Sequence, residues 1–380
     1  MNVLQVVPLL ESGGVERGTL EIAKALVKQG HGSYVATRGG KMLNMFEEAG
    51  VIIIRLPVHS KNPLLIILNI FLLVYFILKE KIHIIHARSR APAWSCYFAS
   101  KISNIKFITT FHGTYNISGV IKHFYNSVML RSNIIIAVSN FILKHIRKNY
   151  SDVIKQNTEI IVINRGVDIN TFDINKITEE RKDKISKKIN FVKYPNTKYI
   201  LLPGRFVRWK GHLYLLECLK LMKDLNFICY FVGHCAKRHF GYYNQIKKNI
   251  ALYGLEDKIK FANAVNDMPA LYSLFDFVIM PSTRPEAFGR VIIEAQAMKK
   301  LVIATNHGGV GETISDRKTG FHIPVNNMTE SSTVIQNAMK MSNSEYNDIM
   351  NAAFDNARTN YSIDQMCEKT LNTYKSLLYM

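Results

Sequence analysis

A chain of 380 residues, 48% hydrophobic and 21% charged, has the composition of a globular protein and the length for two or three domains of roughly 100 to 200 residues each. Its formal charge of +20, shared by both halves, calls for an anionic partner: nucleic acid, an acidic membrane face or a phosphorylated substrate. Five scattered cysteines without C-x-x-C spacing argue against a disulfide framework and a zinc site, and the first residues lack the basic start and cleavage site of a secretory leader, so a reduced, non-secreted protein is expected.

From the start, apolar runs alternate with helical spacing. Asn2 to Val7 reads as a strand, Val15 to Gln29 as a helix, and Ser33 to Thr37 and Val51 to Leu56 as strands. Between the first strand and helix, Gly13 and Gly14 make a loop that a phosphate or sugar can approach. It lacks the G-x-G-x-x-G spacing and the acidic residue of a nicotinamide dinucleotide site, which makes a dehydrogenase a poor fit. Leu64 to Leu78 is fifteen residues with only Asn69 polar. A spanning helix wants about 20, so this run reads as a core helix or as a helix lying on a membrane surface. Lys79, Lys81 and Arg88 follow it, placed in sequence to meet anionic headgroups.

Further strands are expected at Ile82 to Ile85, Lys106 to Thr110 and Asn133 to Val138. His112 stands just past one of them and before Gly113, which puts its ring at a ligand-binding edge, although a lone histidine is more often structural or surface-exposed. Residues 169–198 are rich in Lys, Asn, Asp and Glu and read as a linker between a first domain (1–168) and a second (199–360). The second domain repeats the alternation through YILLP, FICYFVG, KIKFAN, FDFVIM and KLVIAT. The tail, 361–380, reads as helix with Met366, Leu371, Tyr374 and Leu377 on one face. The fold class is therefore α/β: two Rossmann-like, doubly wound parallel-sheet domains facing a cleft, with ligands expected at the carboxyl ends of the strands.

Two segments of the second domain carry chemistry. GRFVRWKGH places Gly204, Arg205 and Lys210 between its first strand and helix, two cations suited to a diphosphate. PSTRPEAFGRVIIEAQAM, Pro281 to Met298, passes from a strand through a loop to a helix. Gly289 there permits close approach to the main chain, and unpaired N–H groups at the helix start favour an anion. Glu286 and Glu294 lie eight residues apart, about 12 Å along a helix, too far for a close carboxylate pair. Separate roles toward hydroxyl groups fit them, as do bland ones as a dipole-complementing and a solvated carboxylate.

The segment Pro281 to Met298 resembles the signature of family 4 retaining glycosyltransferases, and GGVERG, FHG, NRGVD, GRFVRWKGH and GGVGETI resemble further family segments in the family's order. The resemblance implies the GT-B architecture, with the final helix crossing back to the first domain. It implies transfer of a hexose from a nucleotide-diphosphate sugar, UDP- or GDP-linked, without cofactor or metal; no D-x-D occurs in the chain. It assigns Gly13 and Gly14 to donor phosphates and the acceptor side, and His112 to the transferred sugar, with Thr114, Tyr115 and Asn116 near the acceptor. Gly204, Arg205 and Lys210 go to the diphosphate and Glu286 to donor-sugar hydroxyls. Phe288, Gly289 and Arg290 offer backbone N–H groups to sugar and phosphate, and Glu294 takes the ribose. Ala287 and Lys299 to Leu301 depart from the pattern, where the family often has glycine and a Gly-x-Pro turn.

The positive charge and the apolar segment favour a membrane-borne glycan acceptor, such as lipopolysaccharide core or a lipid-linked oligosaccharide, and a cytoplasmic enzyme peripheral to the inner face of the membrane. A transferase acting on a soluble sugar is the alternative. A nucleic-acid-binding protein would also use the charge, but no zinc finger, helix-turn-helix or aromatic-basic sheet motif is present, so no nucleic-acid partner is expected.

Overall fold

A computed structural model describes residues 1–11, 13–115, 119–154 and 158–379. In chain order its elements begin β1 (Asn2–Val6), α1 (Gly14–Lys28), β2 (Gly32–Thr37), α2 (Leu43–Glu47), β3 (Ile52–Arg55) and α3 (Pro63–Lys79). They continue β4 (Ile84–Ala87), α4 (Arg90–Ile102), β5 (Lys106–Phe111), α5 (Val120–Ser127), β6 (Ile134–Ala137), α6 (Asn140–Asn149) and β7 (Glu159–Val162). Next come α7 (Glu179–Ile189), β8 (Lys198–Pro203), α8 (His212–Lys220), β9 (Phe227–Val232), α9 (Phe240–Tyr253), β10 (Ile259–Ala262) and α10 (Met268–Ser273). The chain closes with β11 (Phe277–Met280), α11 (Arg290–Ala297), β12 (Leu301–Thr305), α12 (Val310–Thr313), β13 (Phe321–Ile323), α13 (Met328–Met339), α14 (Asn343–Asn360) and α15 (Ile363–Tyr379).

Two compact units result: unit 1 holds Met1–Gly166 with Ile363–Met380, and unit 2 holds Val167–Ser362. Unit 1 is built on a parallel sheet in the order β3-β2-β1-β4-β5-β6-β7, unit 2 on one in the order β10-β9-β8-β11-β12-β13. In each, the order reverses once, between β1 and β4 in unit 1 and between β8 and β11 in unit 2. Strands diverging to either side leave a crevice at their carboxyl ends, where open α/β sheets bind ligands. Local chemistry sets the helix starts: Asn62 caps α3 with Pro63 at its first position, Ser139 caps α6, and Ser342 with Glu345 forms a capping box on α14.

Unit 1 buries Val3, Ile22, Ile84, Ile108 and Ile134 against Met366, Leu371, Tyr374 and Leu377 of α15. At roughly 1.5–3 kcal/mol for each fully buried aliphatic side chain, this face alone ties the last helix to the first sheet. The segment expected as a linker is instead part of unit 2. Within it α7 buries Ile185 and Ile189, and Arg181 donates two 2.8 Å hydrogen bonds to Asp267, the residue that caps α10. The abundance of charge there had masked two aliphatic anchors.

The apolar run Leu64 to Leu78 lies within α3. Asn69, Leu73 and Ile77 are buried, whereas Leu64, Ile67, Leu68, Phe71, Tyr75 and Leu78 are exposed along one stripe. Among the described residues no helix is long and apolar enough to cross a membrane.

Candidate functional site

In unit 2, β8 and β11 pair in parallel, Ile200 with Phe277 and Leu201 with Val278, so the loops leaving their carboxyl ends emerge side by side. After β8 the chain passes Gly204 and Arg205, makes one tight turn at Arg208–Lys210 and enters α8 through Gly211. Gly211 holds φ +77°, and a Cβ on it would lie 1.8 Å from the Pro281 carbonyl oxygen, so both the backbone angle and the close approach demand glycine. A Cβ on Gly233 would meet the Gly204 carbonyl oxygen at the same distance.

The loop after β11 is pinned by its main chain. Thr305 donates from Oγ1 to the Ser282 carbonyl at 2.7 Å, Glu286 N–H donates to the His307 carbonyl at 3.3 Å, and Gly309 N–H donates to the Glu286 carbonyl at 2.7 Å. On this frame the Glu286 carboxylate accepts at Oε1 from Lys210 Nζ (2.6 Å) and from Ser282 Oγ (2.7 Å). Both charged side chains are largely buried, 14% and 13% exposed, and the Lys210 ammonium also lies 4.5 Å from the centroid of the Trp209 ring. Arg205 differs: it is exposed, and no hydrogen bond or ion pair of its guanidinium exists among the described residues.

Gly289, at φ +93°, leads into α11 with no side chain capping the helix start. One turn on, Glu294 is 5% exposed and accepts from Arg290 Nε at 3.0 Å and from the Tyr272 hydroxyl at 3.1 Å. The two carboxylates thus have separate partners, as their spacing requires. Phe288 is buried and packs edge-on against Tyr361, leaving its main chain, not its ring, to serve a ligand. Tyr272 was not legible in the sequence because it reaches its carboxylate only through tertiary structure, whereas Ser282 lies inside the singled-out motif, four residues before Glu286, and nothing in the pattern marked it as that carboxylate's partner.

In unit 1, Gly13 precedes α1 and Gly14 opens it; space beside Gly14 is open, with nothing among the described residues within 4 Å of a Cβ built there. The Gly14 carbonyl accepts from Arg165 Nη2, and Arg165 also pairs with Glu21 at 3.8 Å. Arg165 lies in the NRGVD segment, yet nothing in that pattern foretold a contact with the glycine loop. His112 follows β5 directly; its Nε2 is buried and has no hydrogen-bond partner among the described residues. Burial, then the charges of Arg88, Arg165 and His86, hold its pKa well below the usual histidine value, so it is neutral near pH 7. Thr114 is exposed and Tyr115 packs between Phe111 (4.9 Å) and the Arg90 guanidinium (4.2 Å); Asn116 lies outside the described residues.

Arg88 corrects an expectation. It does not sit at the surface to meet lipid headgroups but is 2% exposed, immediately after β4. A basic residue in a K-x-K…R-x-R run reads as surface, and only the sheet topology reveals that it lies where the chain order reverses.

The parts in unit 2 suit an anion joined to a polyhydroxylated group: exposed and paired cations, a helix start, and carboxylates ready to accept hydroxyl protons. Comparison with known proteins points the same way. Residues 182–355 match the family described as glycosyl transferases group 1, and residues 12–171 match glycosyltransferase family 4. The crystal structure of a glycosyltransferase from Rickettsia africae ESF-5 is 42% identical, with a TM-score of 0.90 over 99% of this chain and 98% of that one. HepE from Anabaena, in complex with UDP and glucose, shares the fold at 20% identity, with a TM-score of 0.83 over 99% of this chain and all of that one. The lipopolysaccharide 1,2-N-acetylglucosaminetransferase of Salmonella typhimurium is 28% identical over 148 residues, 37% of this chain and 38% of that protein. The chain spans about half the length of the curated relatives it matches.

Proposed function

We propose, for a chain that belongs to the family 4 glycosyltransferases and carries their GT-B fold, that it is a retaining, metal-independent enzyme. It moves a hexose from a UDP- or GDP-linked donor to a membrane-associated glycan such as lipopolysaccharide core or a lipid-linked oligosaccharide. The observation that carries this reading is the Lys210–Glu286–Ser282 cluster at the reversal point of the second sheet. A diphosphate beside Lys210 and sugar hydroxyls beside Glu286 split a pair that otherwise neutralises itself, so one ligand must bring both an anion and hydroxyl groups. A nucleotide sugar does.

In this reading Arg205 and Lys210 balance the charge that grows on the departing nucleotide, aided by the start of α11 around Phe288, Gly289 and Arg290. The acceptor hydroxyl attacks on the face the nucleotide leaves, Glu286 orients the donor sugar, and Glu294 accepts from the ribose while keeping its bonds to Arg290 and Tyr272. Gly13 and Gly14 serve the phosphate and the acceptor, with open space beside Gly14, and His112 contacts the transferred sugar as a neutral imidazole.

The exposed stripe on α3 supports a membrane-facing acceptor. Six large apolar side chains lie along it, with Lys61 before the helix, Lys79 at its end and Lys81 after it, all exposed, an arrangement that suits the inner face of an anionic bilayer. The test is a panel of nucleotide sugars scored by thermal stabilisation, followed by NMR of the product anomer made on a lipid-linked acceptor. Absence of stabilisation by every nucleotide sugar, or an inverted product, overturns the reading.

A further inference from the structure

Arg88 sits where unit 1 reverses strand order. Its N–H donates to the Val6 carbonyl at 3.0 Å, prolonging the β1–β4 ladder by one step, so the residue stands at the crevice end of both strands. The side chain is almost fully buried, yet Nε and Nη2 have no hydrogen-bond partner among the described residues. A guanidinium withdrawn from water with three N–H groups unbonded, one on Nε and two on Nη2, is among the costlier arrangements a fold retains.

Its surroundings do not discharge it. The carboxylate acting on Arg88 is Glu21, which also pairs with Arg165, so two cations share one anion. His86 is committed at both nitrogens, Nδ1 to the Tyr374 hydroxyl (2.6 Å) and Nε2 to Thr110 Oγ1 (2.7 Å). Past the adjoining strand β5, the buried Nε2 of His112 is again without a partner among the described residues. Two helices begin at the same edge: α4 starts directly after Ser89, whose side chain makes no capping bond, and α1 starts at the open Gly14. Unsatisfied donors from neighbouring strands, a surplus positive charge and two helix starts together specify an oxyanion.

We propose that unit 1 carries its own oxyanion subsite, with the Arg88 guanidinium as its main donor and His112 as a second, and that the acceptor glycan places a carboxylate or a phosphate there. The assignment to the acceptor rests on the glycosyltransferase reading; the subsite itself does not. Glycan carboxylates and phosphates share this chemistry, since both offer two oxygens to a guanidinium fork.

The experiment compares the wild-type chain with Arg88→Met and Arg88→Lys. Thermal shift is read with inorganic phosphate, glucuronate, glucose 6-phosphate and, as a neutral control, glucose; nucleotide sugars are run in parallel. The wild type gains stability with inorganic phosphate and with at least one charged sugar but not with glucose, and which charged sugar binds names the anion. Arg88→Met binds these probes about ten- to a hundredfold more weakly, the range expected for a charge-assisted hydrogen bond. It also melts above the wild type without ligand, because an unpaired buried charge is gone, whereas a purely structural arginine lowers the melting point when removed. Arg88→Lys, which keeps the charge but not the fork, falls between. Stabilisation by nucleotide sugars is unchanged in both variants. Equal anion binding by wild type and Arg88→Met, no binding of any charged probe by the wild type, or a loss confined to nucleotide sugars overturns the proposal. Failure of every nucleotide sugar with intact phosphate binding sinks the transferase reading instead.

Discussion

Lys210 Nζ and Glu286 Oε1 are 2.6 Å apart across 76 residues of sequence, and both are largely withdrawn from water. Without ligand neither is an independent element, because removing one leaves the other as a largely buried charge without its counterpart. Lys210→Ala and Glu286→Ala should each lower kcat by roughly 100- to 1,000-fold while the circular dichroism stays native. The double variant should be little worse than either single one, as for groups that act as a unit. Strictly multiplicative losses in that cycle would show the two residues working separately.

That pair also marks the boundary of what the amino-acid pattern conveys. FDFVIM and the spacing from Val291 to Met298 locate β11 and α11 within a residue or two, and the gap between Glu286 and Glu294 already separates their roles. The face of α15 carrying Met366, Leu371, Tyr374 and Leu377 is equally plain from helical period. Partners that lie 76 or 288 residues away leave no periodic trace, so the Lys210–Glu286 and His86–Tyr374 contacts emerge only when strands are ordered in a sheet. Composition misleads in two places: the Lys-rich stretch around Ile185 and Ile189 reads as linker, and Arg88 reads as surface because a buried arginine looks the same in sequence as an exposed one.

The hydrogen bond between the Tyr374 hydroxyl and His86 Nδ1 binds the last helix to the fourth strand inside unit 1. Tyr374→Phe keeps the ring in place but leaves a buried imidazole nitrogen unbonded, and should cost about 1–3 kcal/mol in urea unfolding. Thr110→Val, which strips the partner from Nε2, should cost a similar amount. A Tyr374→Phe protein as stable as the wild type would mean that the hydroxyl contributes nothing to holding α15.

The stripe on α3 gives the membrane proposal a sharp form. Phe71 and Leu78 are 66% and 65% exposed, and replacing both with Asp removes apolar area while adding repulsion from anionic lipid. Sedimentation with phosphatidylglycerol vesicles should fall roughly tenfold or more. Arg88→Met should sediment like the wild type, since a buried guanidinium meets no headgroup. Undiminished sedimentation of the double Asp variant would place the membrane contact elsewhere.

Acid should loosen unit 2 through His212, whose ring is fully buried, stacked on Phe206 at 4.9 Å and, among the described residues, without a hydrogen-bond partner at either nitrogen. Burial, helped by the charge of Lys210, pushes its pKa down to about 3, whereas in the unfolded chain it returns to about 6.5. Between those values the unfolded state binds a proton that the folded state refuses, so stability is full above pH 6.5 and declines as the pH falls toward 3. From pH 6.5 to 5 the loss from this one group is about 2 kcal/mol, at roughly 1.4 kcal/mol per pH unit. His86, buried in unit 1 with its pKa likewise lowered, adds a loss of the same sign. His212→Phe suits the ring stack with Phe206 and Phe231 and abolishes the titration, so urea unfolding at pH 7 and 5 should show a smaller drop for the variant than for the wild type. Parallel pH profiles for the two proteins would mean that His212 is protonated in the fold and that its aromatic surroundings admit the charge.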